Sequence, residues 1–302
     1  MAEHYDVVVI GGGPGGYVAA IRAGQLGLRT AIVERDAVGG ICLNWGCIPS
    51  KAILRNAQVL NLVQHAGDFG ISFQGLSFDF GQAIDRSRQV VDQLTRGVGM
   101  LLRKNNVEVV HGNGILRDAG TVEIAREGRQ FSAHNLIIAT GATQRAIPSM
   151  PIDHQVVITS REALEQRRVP NRVVIVGGGA TGCEFAHIYR TYGAEVTMVE
   201  LLPRIIPLED EELSAVLERS FNRRGIQLLT SASVQDISLT DSGAQVSVST
   251  DDADVIIECD SVLVAVGVQG NVDGIGLETI GVETEKGFIK IDDWMRTSVP
   301  GV

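Results

Sequence analysis

Two cysteines, Cys42 and Cys47, stand five residues apart in the stretch GGICLNWGCIPSKA at residues 39–52. Two thiols this close along a chain can form a structural disulfide, ligate a metal ion, lie buried and inert, or cycle between a dithiol and a disulfide. A structural cross-link is not the typical use here, because four cysteines in 302 residues do not make a disulfide-rich secreted scaffold. The residues around the pair favour one of the other three uses, which are a metal site, a buried inert pair and a redox-active disulfide.

A metal site is disfavoured because further ligands are missing from the neighbourhood. Zinc sites use three or four protein ligands. His65 stands far along the helix that is predicted after the pair, and Cys183 and Cys259 are isolated in the sequence. We therefore expect no metal at the cysteine pair.

Glycines Gly39, Gly40 and Gly46 flank the pair and indicate a backbone held close to another group. A regular helix would place residues five apart beyond the usual Cα separation of a disulfide, roughly 4.4–6.8 Å. We therefore expect an irregular turn through Gly46, followed by a helix that begins at about Ser50, behind Pro49, and runs to about residue 65.

Cys47 would then sit just before the N-terminus of this helix. The positive potential at a helix N-terminus stabilises a thiolate, and Lys51, one turn further on, adds a positive charge. This pattern favours a reversible, redox-active disulfide over an inert pair.

A repeat in the sequence indicates where the electrons could come from. Residues 6–34 and 172–200 align without a gap at an offset of 166 residues (177 − 11 = 166). Each segment has a β-branched run, the motif G-x-G-x-x-G, an amphipathic stretch and a second β-rich run that ends in Glu. The matched residues are Gly11, Gly13, Gly16, Gly27 and Glu34 in the first copy and Gly177, Gly179, Gly182, Gly193 and Glu200 in the second.

The physical interpretation of each copy is a βαβ unit that binds a dinucleotide. The first glycine permits a tight turn, the second lets the backbone approach a pyrophosphate, and the third lets helix and strand pack closely. The terminal Glu accepts hydrogen bonds from ribose hydroxyls. A lone glycine motif would be an ordinary turn, but the full pattern occurs twice and predicts two dinucleotide sites.

The acidic residue of the second copy favours NAD over NADP. Glu200 would lie where a 2′-phosphate has to go, although Arg204, four residues further on, leaves NADP open. Two dinucleotides and one dithiol suggest that electrons pass from one nucleotide through the other to the disulfide. A flavin is the natural relay, because it exchanges hydride with nicotinamide and reacts with thiolate.

The predicted fold class is α/β, with two Rossmann-like three-layer domains, the second inserted in the first. A helix is predicted over 79–104, and strands are predicted within 107–117, 121–128 and 131–140. Two further strands end in glycine turns, LIIATGA at 136–142 and SVLVAVG at 261–267. These turns either border the cofactor crevice or simply connect strand to loop.

The domain boundaries follow from a proline-containing linker at 142–153 and from the last segment, 287–302, which is expected to return to the first domain as strands. The assignment is 1–148 for the first part of an FAD-binding domain, 149–271 for an NAD-binding domain and 272–302 for the return segment.

Charge and composition exclude other classes. The formal net charge is −10 with both signs interleaved, which argues against nucleic acid and gives no polybasic signal for a membrane surface. No apolar run approaches the roughly 18 residues of a membrane span. The N-terminal stretch MAEHYDVVVIGGG shows no signal or transit peptide, so we expect a cytoplasmic protein.

The motif GGICLNWGCIPSKA is similar, nearly residue for residue, to the redox-disulfide motif of the pyridine nucleotide–disulfide oxidoreductases. The resemblance continues through LIIATGA, IVGGGATGCEFA, VTMVE and RTSVPGV. It is strongest to members that oxidise dihydrolipoyl groups, since members acting on glutathione usually differ at Ser50 and carry basic residues rather than Glu200. VGVQGN, 266–271, departs from the family because it lacks the usual Arg and Pro before the Asn.

The resemblance implies a role for each site residue. Cys47 would be the flavin-side thiol and Cys42 the thiol that exchanges with substrate, while Glu184 would lie near the nicotinamide and pair with Lys51. Without the resemblance, Lys51 and Glu184 would be ordinary helix residues. The residues implied for FAD are Gly11, Gly13, Pro14, Gly15, Gly16, Glu34, Arg35, Gly40, Lys51, Gly114, Thr140, Gly141 and Ala142; those for NAD are Gly177, Gly179, Gly182, Glu184, Glu200, Val234 and Gly267.

The resemblance also implies that family members continue past VPGV into a dimerisation domain that carries a catalytic His–Glu pair. None of the six histidines here lies in such a context, so we expect a C-terminally truncated chain with little lipoamide activity by itself. The implied partners are a lipoyl domain of a 2-oxo-acid dehydrogenase complex or the lipoyl carrier of a glycine-cleavage system, with a homodimeric parent enzyme. The alternatives are another NAD(P)H-dependent disulfide or mercuric reductase, or a redox-silent nucleotide-binding module.

Overall fold

The computed structural model describes residues 3–302. The chain divides into two compact units. The first comprises residues up to Cys47, Val91–Thr143 and Val268–Val302, and the second comprises Ile48–Val90 and Gln144–Gly267. The predicted domain assignment stays a prediction, because compactness is a property of contacts, whereas a domain is defined by independent folding and ligand binding.

The secondary structure alternates strands and helices along both units. The helices are α1 (Pro14–Gln25), α2 (Gly40–Trp45), α3 (Cys47–Gln64), α4 (Phe80–Lys104), α5 (Ser160–Ala163), α6 (Ala180–Thr191), α7 (Glu211–Arg223) and α8 (Leu277–Ile280), with a 3-10 helix at Ala66–Phe69. The strands are β1 (Glu3–Ile10), β2 (Thr30–Glu34), β3 (Glu108–His111), β4 (Gly114–Asp118), β5 (Thr121–Ile124), β6 (Gln130–Ile138), β7 (Ala142–Gln144), β8 (Val157–Ile158), β9 (Arg172–Val176), β10 (Glu195–Val199), β11 (Gln227–Leu229), β12 (Ser233–Thr240), β13 (Gly243–Ser249), β14 (Asp254–Cys259), β15 (Ser261–Val264), β16 (Val268–Gly270), β17 (Thr284–Glu285) and β18 (Phe288–Ile289).

The first unit is built on a six-stranded sheet in the order β3-β2-β1-β6-β5-β4. Strands β3, β2, β1 and β6 are parallel, and β5 and β4 run antiparallel. The apolar run at the end of β1 is buried, as expected for a strand covered on both faces. Helix α1 packs on β1 and β2, and its residues Ala20 and Ala23 are buried. Elsewhere in this unit, Phe131 of β6 shares a core with Leu277 of α8.

The second unit is built on a parallel sheet in the order β11-β10-β9-β15-β8 and on a separate antiparallel sheet, β12-β13-β14. Alternate residues of β9 point to opposite faces. Ile175 joins a core with Ile188 of α6, and Val174 joins a core with Val246 of β13. The unit therefore has three layers, helices on a parallel sheet on an antiparallel sheet, which confirms the predicted α/β class.

Both predicted βαβ units are confirmed. They are β1-α1-β2 and β9-α6-β10, and in each the helix begins directly after the second glycine of the motif. The long helix predicted over 79–104 is α4.

The predicted start of the helix after the cysteines is wrong. Helix α3 begins at Cys47, not at about Ser50, and the stretch before it is the short helix α2 rather than an irregular turn. The irregularity is confined to Gly46, whose backbone angles of φ −145° and ψ −112° separate the two helices. Pro49 is accommodated because the first amides of a helix have no intrahelical acceptor.

The last segment is mostly turn, which corrects the prediction of strands over 287–302. Only Phe288–Ile289 forms a strand there, paired with Thr284–Glu285. Beyond it the Asp292 carboxylate accepts from the backbone N–H groups of Trp294 and Arg296, and such local bonds compete with a strand ladder. The chain returns to the first sheet where Leu136 N–H donates to Gly301 O (2.8 Å).

Among residues 3–302, no helix combines the length and the apolar composition that crossing a bilayer requires.

Candidate redox and nucleotide sites

The two cysteines at the end of the first unit form a disulfide. Cys42 lies in α2 and Cys47 is the first residue of α3, with a Cα–Cα distance of 4.6 Å that falls in the range of natural disulfides. The break at Gly46 makes this possible, because it folds the end of α2 back onto the start of α3. Cys47 is exposed and stands at the N-terminus of an 18-residue helix, where the amides favour a thiolate.

The charge on Lys51 is paired within the second unit. Its Nζ lies 2.5 Å from Glu184 Oε1, and the two side chains are 60% and 24% exposed. The ion pair that the resemblance implies is therefore present. Glu184 offsets part of the positive charge that Lys51 brings to the first turns of α3.

The first glycine turn, in the first unit, has room only for glycine. Gly11 has φ +105°, and a Cβ there would lie 2.1 Å from Ala139 O; a Cβ on Gly16 would lie 1.8 Å from Gly11 O. Among the described residues no side chain caps α1 at Gly13, so the first amides of the helix face outward. Free amides at a helix N-terminus beside a close-packed turn are what a pyrophosphate needs.

Glu34 ends β2 with its carboxylate already fixed. Oε2 accepts from Gly12 N–H (2.6 Å) and Oε1 from Asp36 N–H (2.7 Å), and the residue is buried. Each carboxylate oxygen has a second lone pair. The side chain is thus held in place and still able to accept from ribose hydroxyls.

A cleft of about 270 Å³ opens beside Glu34 in the first unit. Among the residues expected to bind FAD, its lining includes Gly11, Glu34, Arg35, Gly114 and Thr140. The cleft is also lined by residues that the sequence analysis missed, Gly112, Asn113, Ile115, Ala125, Asn271, Asp273, Gly274 and Ile275.

Asn271 is the most informative of the missed residues. Its Nδ2 donates to Thr140 O (2.9 Å), its N–H donates to Gly141 O (2.9 Å), and its carbonyl accepts from Thr140 Oγ1 (2.8 Å). These three bonds fix the end of the LIIATGA segment against the cleft. The one signal of Asn271 in the sequence is its place at the end of VGVQGN, 266–271, the segment that departs from the family pattern.

The second glycine turn repeats the first inside the second unit. Gly177 has φ +106°, a Cβ there would lie 2.4 Å from Ala265 O, and a Cβ on Gly182 would lie 2.0 Å from Gly177 O. A Cβ on Gly179 would meet nothing within 4 Å, so the helix N-terminus is open to a ligand. Ala139 and Ala265 belong to LIIATGA and SVLVAVG, so both strand ends do lie against a glycine turn.

Glu200 reproduces the bonding of Glu34. Oε2 accepts from Gly178 N–H (2.6 Å), Oε1 accepts from Leu202 N–H (2.8 Å), and the residue is buried. Arg204 is the residue whose positive charge leaves NADP binding open on the sequence. It donates from Nη2 to Pro207 O (3.3 Å) within its own loop.

The remaining expected NAD residues lie around this turn. Val234 is buried in β12, two residues beyond Ala232, whose N–H donates to Glu200 O (3.0 Å). Gly267 has φ +95° and accepts from Arg145 N–H.

The expected site residues thus fall into two groups, one in each compact unit. The first unit holds Gly11, Gly13, Pro14, Gly15, Gly16, Glu34, Arg35, Gly40, Cys42, Cys47, Gly114, Thr140, Gly141 and Ala142; the second holds Lys51, Gly177, Gly179, Gly182, Glu184, Glu200, Val234 and Gly267.

A family profile described as "Pyridine nucleotide-disulphide oxidoreductase" matches residues 5–302, nearly the whole chain. The chain belongs to the pyridine nucleotide–disulphide oxidoreductase family. The predicted resemblance is therefore confirmed, together with the Rossmann-like nucleotide-binding fold and the assignment of Cys42–Cys47 as a redox disulfide.

Individual members of the family show how far the similarity extends. A dihydrolipoyl dehydrogenase of Chlorobaculum tepidum is 45% identical over 306 residues, which cover this whole chain and 65% of that protein. The chain thus spans about 65% of the length of that relative.

Solved structures of the family superimpose closely. LpdA of Mycobacterium tuberculosis matches with a TM-score of 0.89 at 27% identity, covering 99% of this chain and 66% of that one. The Cu(II) complex of RclA, an HOCl-induced flavoprotein disulfide reductase of Escherichia coli, matches with a TM-score of 0.85 at 26% identity, covering 100% and 65%. LpdA and RclA therefore share the fold seen here.

Proposed function

We propose that the chain carries the electron path of a dihydrolipoyl dehydrogenase, from a dihydrolipoyl dithiol through Cys42–Cys47 and FAD to NAD⁺. The observation that carries the proposal is the disulfide at the α2–α3 junction, in the same compact unit as the first nucleotide turn. The similarity to a dihydrolipoyl dehydrogenase at 45% identity supports this substrate class.

The thiol chemistry follows from the positions of the two cysteines. A substrate thiolate attacks the Cys42 sulfur, the Cys42–Cys47 bond breaks, and Cys47 leaves as a thiolate stabilised by the N-terminus of α3. The second substrate thiol then displaces Cys42 from the mixed disulfide. The substrate has lost two electrons and becomes a disulfide, and the protein has gained them as two thiols.

The two nucleotide sites divide the remaining work. The cleft beside Glu34 suits FAD, because the outward amides of α1 can hold a pyrophosphate and the fixed carboxylate can hold a ribose. Bound FAD supplies hydride exchange with nicotinamide and electron exchange with thiolate. Glu200 would bind the ribose of NAD and repel a 2′-phosphate, and Lys51 with Glu184 would lie near the reacting rings.

None of the histidine contacts that the structure shows among residues 3–302 involves Cys42 or Cys47. These contacts include His4 with Ser132, His65 with Asn61 O, His134 with Asp6, His154 with Glu162 and His187 with Arg224. We therefore expect the 302-residue chain alone to oxidise dihydrolipoamide slowly, since general base catalysis contributes about 10²–10⁴-fold. The proposal extends to a lipoyl domain or lipoyl carrier as partner, a homodimeric whole enzyme and a cytoplasmic location.

The visible spectrum of the purified chain tests the proposal. We expect a yellow protein that gains a long-wavelength charge-transfer band on two-electron reduction. Cys42→Ser should show that band without reduction, because the Cys47 thiolate is then free, and Cys47→Ser should never show it. A colourless chain, even after incubation with FAD, would favour the redox-silent nucleotide-binding module.

A second candidate is another disulfide or mercuric reductase. The close superposition on RclA, a flavoprotein disulfide reductase, supports this candidate. Dihydrolipoamide, glutathione disulfide and mercuric ion, each assayed with NAD(H) and NADP(H), separate the two. Faster turnover of glutathione disulfide or mercuric ion, or a clear preference for NADPH, would favour the second candidate.

A further inference from the structure

Asn44 lies between the two cysteines, in α2, and the sequence analysis gave it no role. Its side-chain amide donates to Val38 O (3.2 Å) and to Gly40 O (3.0 Å). One acceptor, Val38, lies before α2, and the other, Gly40, is its first residue. Asn44 therefore ties the middle of α2 back to residues 38–40.

The turn at residues 38–40 is itself held firmly on the first nucleotide turn. Gly39 N–H donates to Gly12 O (2.7 Å). Gly39 and Gly40 have φ of +104° and +57°, and a Cβ on Gly40 would lie 2.6 Å from Gly13 Cα. Through residues 38–40, Asn44 connects the helix that carries Cys42 to the first nucleotide turn.

This connection matters most when the disulfide is open. Helix α2 has six residues, too few to be stable as an isolated helix. While the disulfide is closed, a covalent bond holds Cys42 beside Cys47. When it is reduced, that bond is gone, and the helix depends on the buried side chain of Leu43 and on the two bonds of Asn44.

We propose that Asn44 is a positioning residue that keeps Cys42 within reach of Cys47 in the dithiol state. It thereby raises the effective concentration of one thiol at the other and favours closure of the disulfide. The inference rests on the redox role proposed for the pair. Asn44 acts by holding the path of α2 against residues 38–40.

The equilibrium of the pair with glutathione measures this effect directly. In that exchange the two protein thiols become one S–S bond, and one glutathione disulfide takes up the two electrons and two protons to become two glutathione molecules. The 302-residue chain is equilibrated without oxygen over a series of glutathione ratios, quenched with an alkylating agent and digested with trypsin. Both cysteines lie in one peptide, residues 36–51, so a single mass reports the state of the pair.

Two variants remove the donors of Asn44 in different ways. Asn44→Ala deletes the side chain, and Asn44→Asp keeps its size but turns a carboxylate toward two carbonyl oxygens. For both we expect the equilibrium constant for closing the disulfide to fall about tenfold, the effect of losing about two hydrogen bonds. For this two-electron couple, tenfold is about 30 mV toward easier reduction.

Asn105→Ala is the matched control. Asn105, in the first unit and directly after α4, also donates from its side-chain amide to a helix carbonyl, Leu101 O (2.8 Å). We expect this variant to keep the wild-type equilibrium constant. An equal fall in Asn105→Ala would overturn the inference, because any lost amide bond would then have the same effect.

A purely structural role for Asn44 gives a different result. Both Asn44 variants would then unfold at lower urea concentration while their equilibrium constant with glutathione stays at the wild-type value, and that outcome overturns the inference. Failure of the proposed function is distinguishable, because the wild-type pair itself would then stay reduced, or stay oxidised, at every glutathione ratio.

Discussion

Gly40 packs so closely on Gly13 that a Cβ built on Gly40 would lie 2.6 Å from the Gly13 Cα. Gly13 belongs to the first nucleotide turn, and Gly40 is the first residue of the helix that carries Cys42. The redox segment and the nucleotide turn are therefore joined by a direct backbone contact.

Substituting Gly40 tests the importance of this contact. Gly40→Ala has to accept φ +57°, at a cost of about 1–2 kcal/mol, and must also push the backbone of Gly13 aside. Gly27→Ala is the matched control, because Gly27 has φ +81° in the same unit but nothing within 4 Å of its Cβ position. We expect urea unfolding to show Gly40→Ala less stable than Gly27→Ala by at least about 1 kcal/mol, and the flavin absorbance to fall only in Gly40→Ala. Equal stability and equal flavin content in the two variants would show that the contact between Gly40 and Gly13 contributes neither to stability nor to flavin binding.

The matched carboxylates at Glu34 and Glu200 can be tested against each other. Substituting either glutamate by Gln replaces one carboxylate oxygen by an NH₂ group, which then faces a backbone N–H donor. Two donors facing each other cost about 1–3 kcal/mol in lost hydrogen bonding. We expect Glu200→Gln to weaken NADH binding about tenfold or more, measured by fluorescence titration, with flavin content unchanged. Glu34→Gln should do the reverse. If either variant weakens both nucleotides equally, the assignment of one site to each is wrong.

His187 gives the second unit a defined dependence on pH. Burial, followed by the positive charge of the neighbouring Arg224, lowers the pKa of His187 to about 4. The folded state holds this histidine neutral, whereas the unfolded chain takes up a proton at pH values below its ordinary pKa of about 6.5. The associated contribution to the free energy of unfolding is therefore complete above about pH 6.5 and is lost as pH falls toward 4.

Urea unfolding at several pH values between 7.5 and 4.5 measures this loss. His187→Gln removes the titrating group, so its stability should be nearly constant between pH 6.5 and 5. The carboxyls of Asp153 and Glu162, whose pKa values are lowered in the folded protein, lose their contribution mainly below that window. A wild-type curve parallel to that of His187→Gln would contradict the expected titration.

The sequence predicted the two nucleotide turns well because their requirements are local. A tight turn at Gly11 and close helix packing at Gly16 are properties of a few neighbouring residues, and the terminal Glu34 stands at a fixed distance along the chain. The same holds for α4, whose apolar residues recur at helical spacing over 25 residues.

What the sequence did not predict depends on distant or very short segments. Helix α2 is missed because six residues between glycines are too few to show a periodicity. The cleft beside Glu34 is closed by Asn271 and its neighbours, which are more than 200 residues away in the chain and carry no pattern of their own. The partner of Lys51, 133 residues away, was expected only through family resemblance.

The central claim is that the Cys42–Cys47 pair and the second nucleotide site exchange electrons through FAD, along a path that NADH drives in the reverse direction. The most direct measurement is anaerobic reduction of the flavin-loaded chain by NADH, followed by alkylation and mass analysis of the peptide 36–51. We expect two alkylated cysteines in that peptide with NADH, and an intact disulfide with NADPH at the same concentration. A flavin that is bleached by NADH while the disulfide stays intact would contradict the claim.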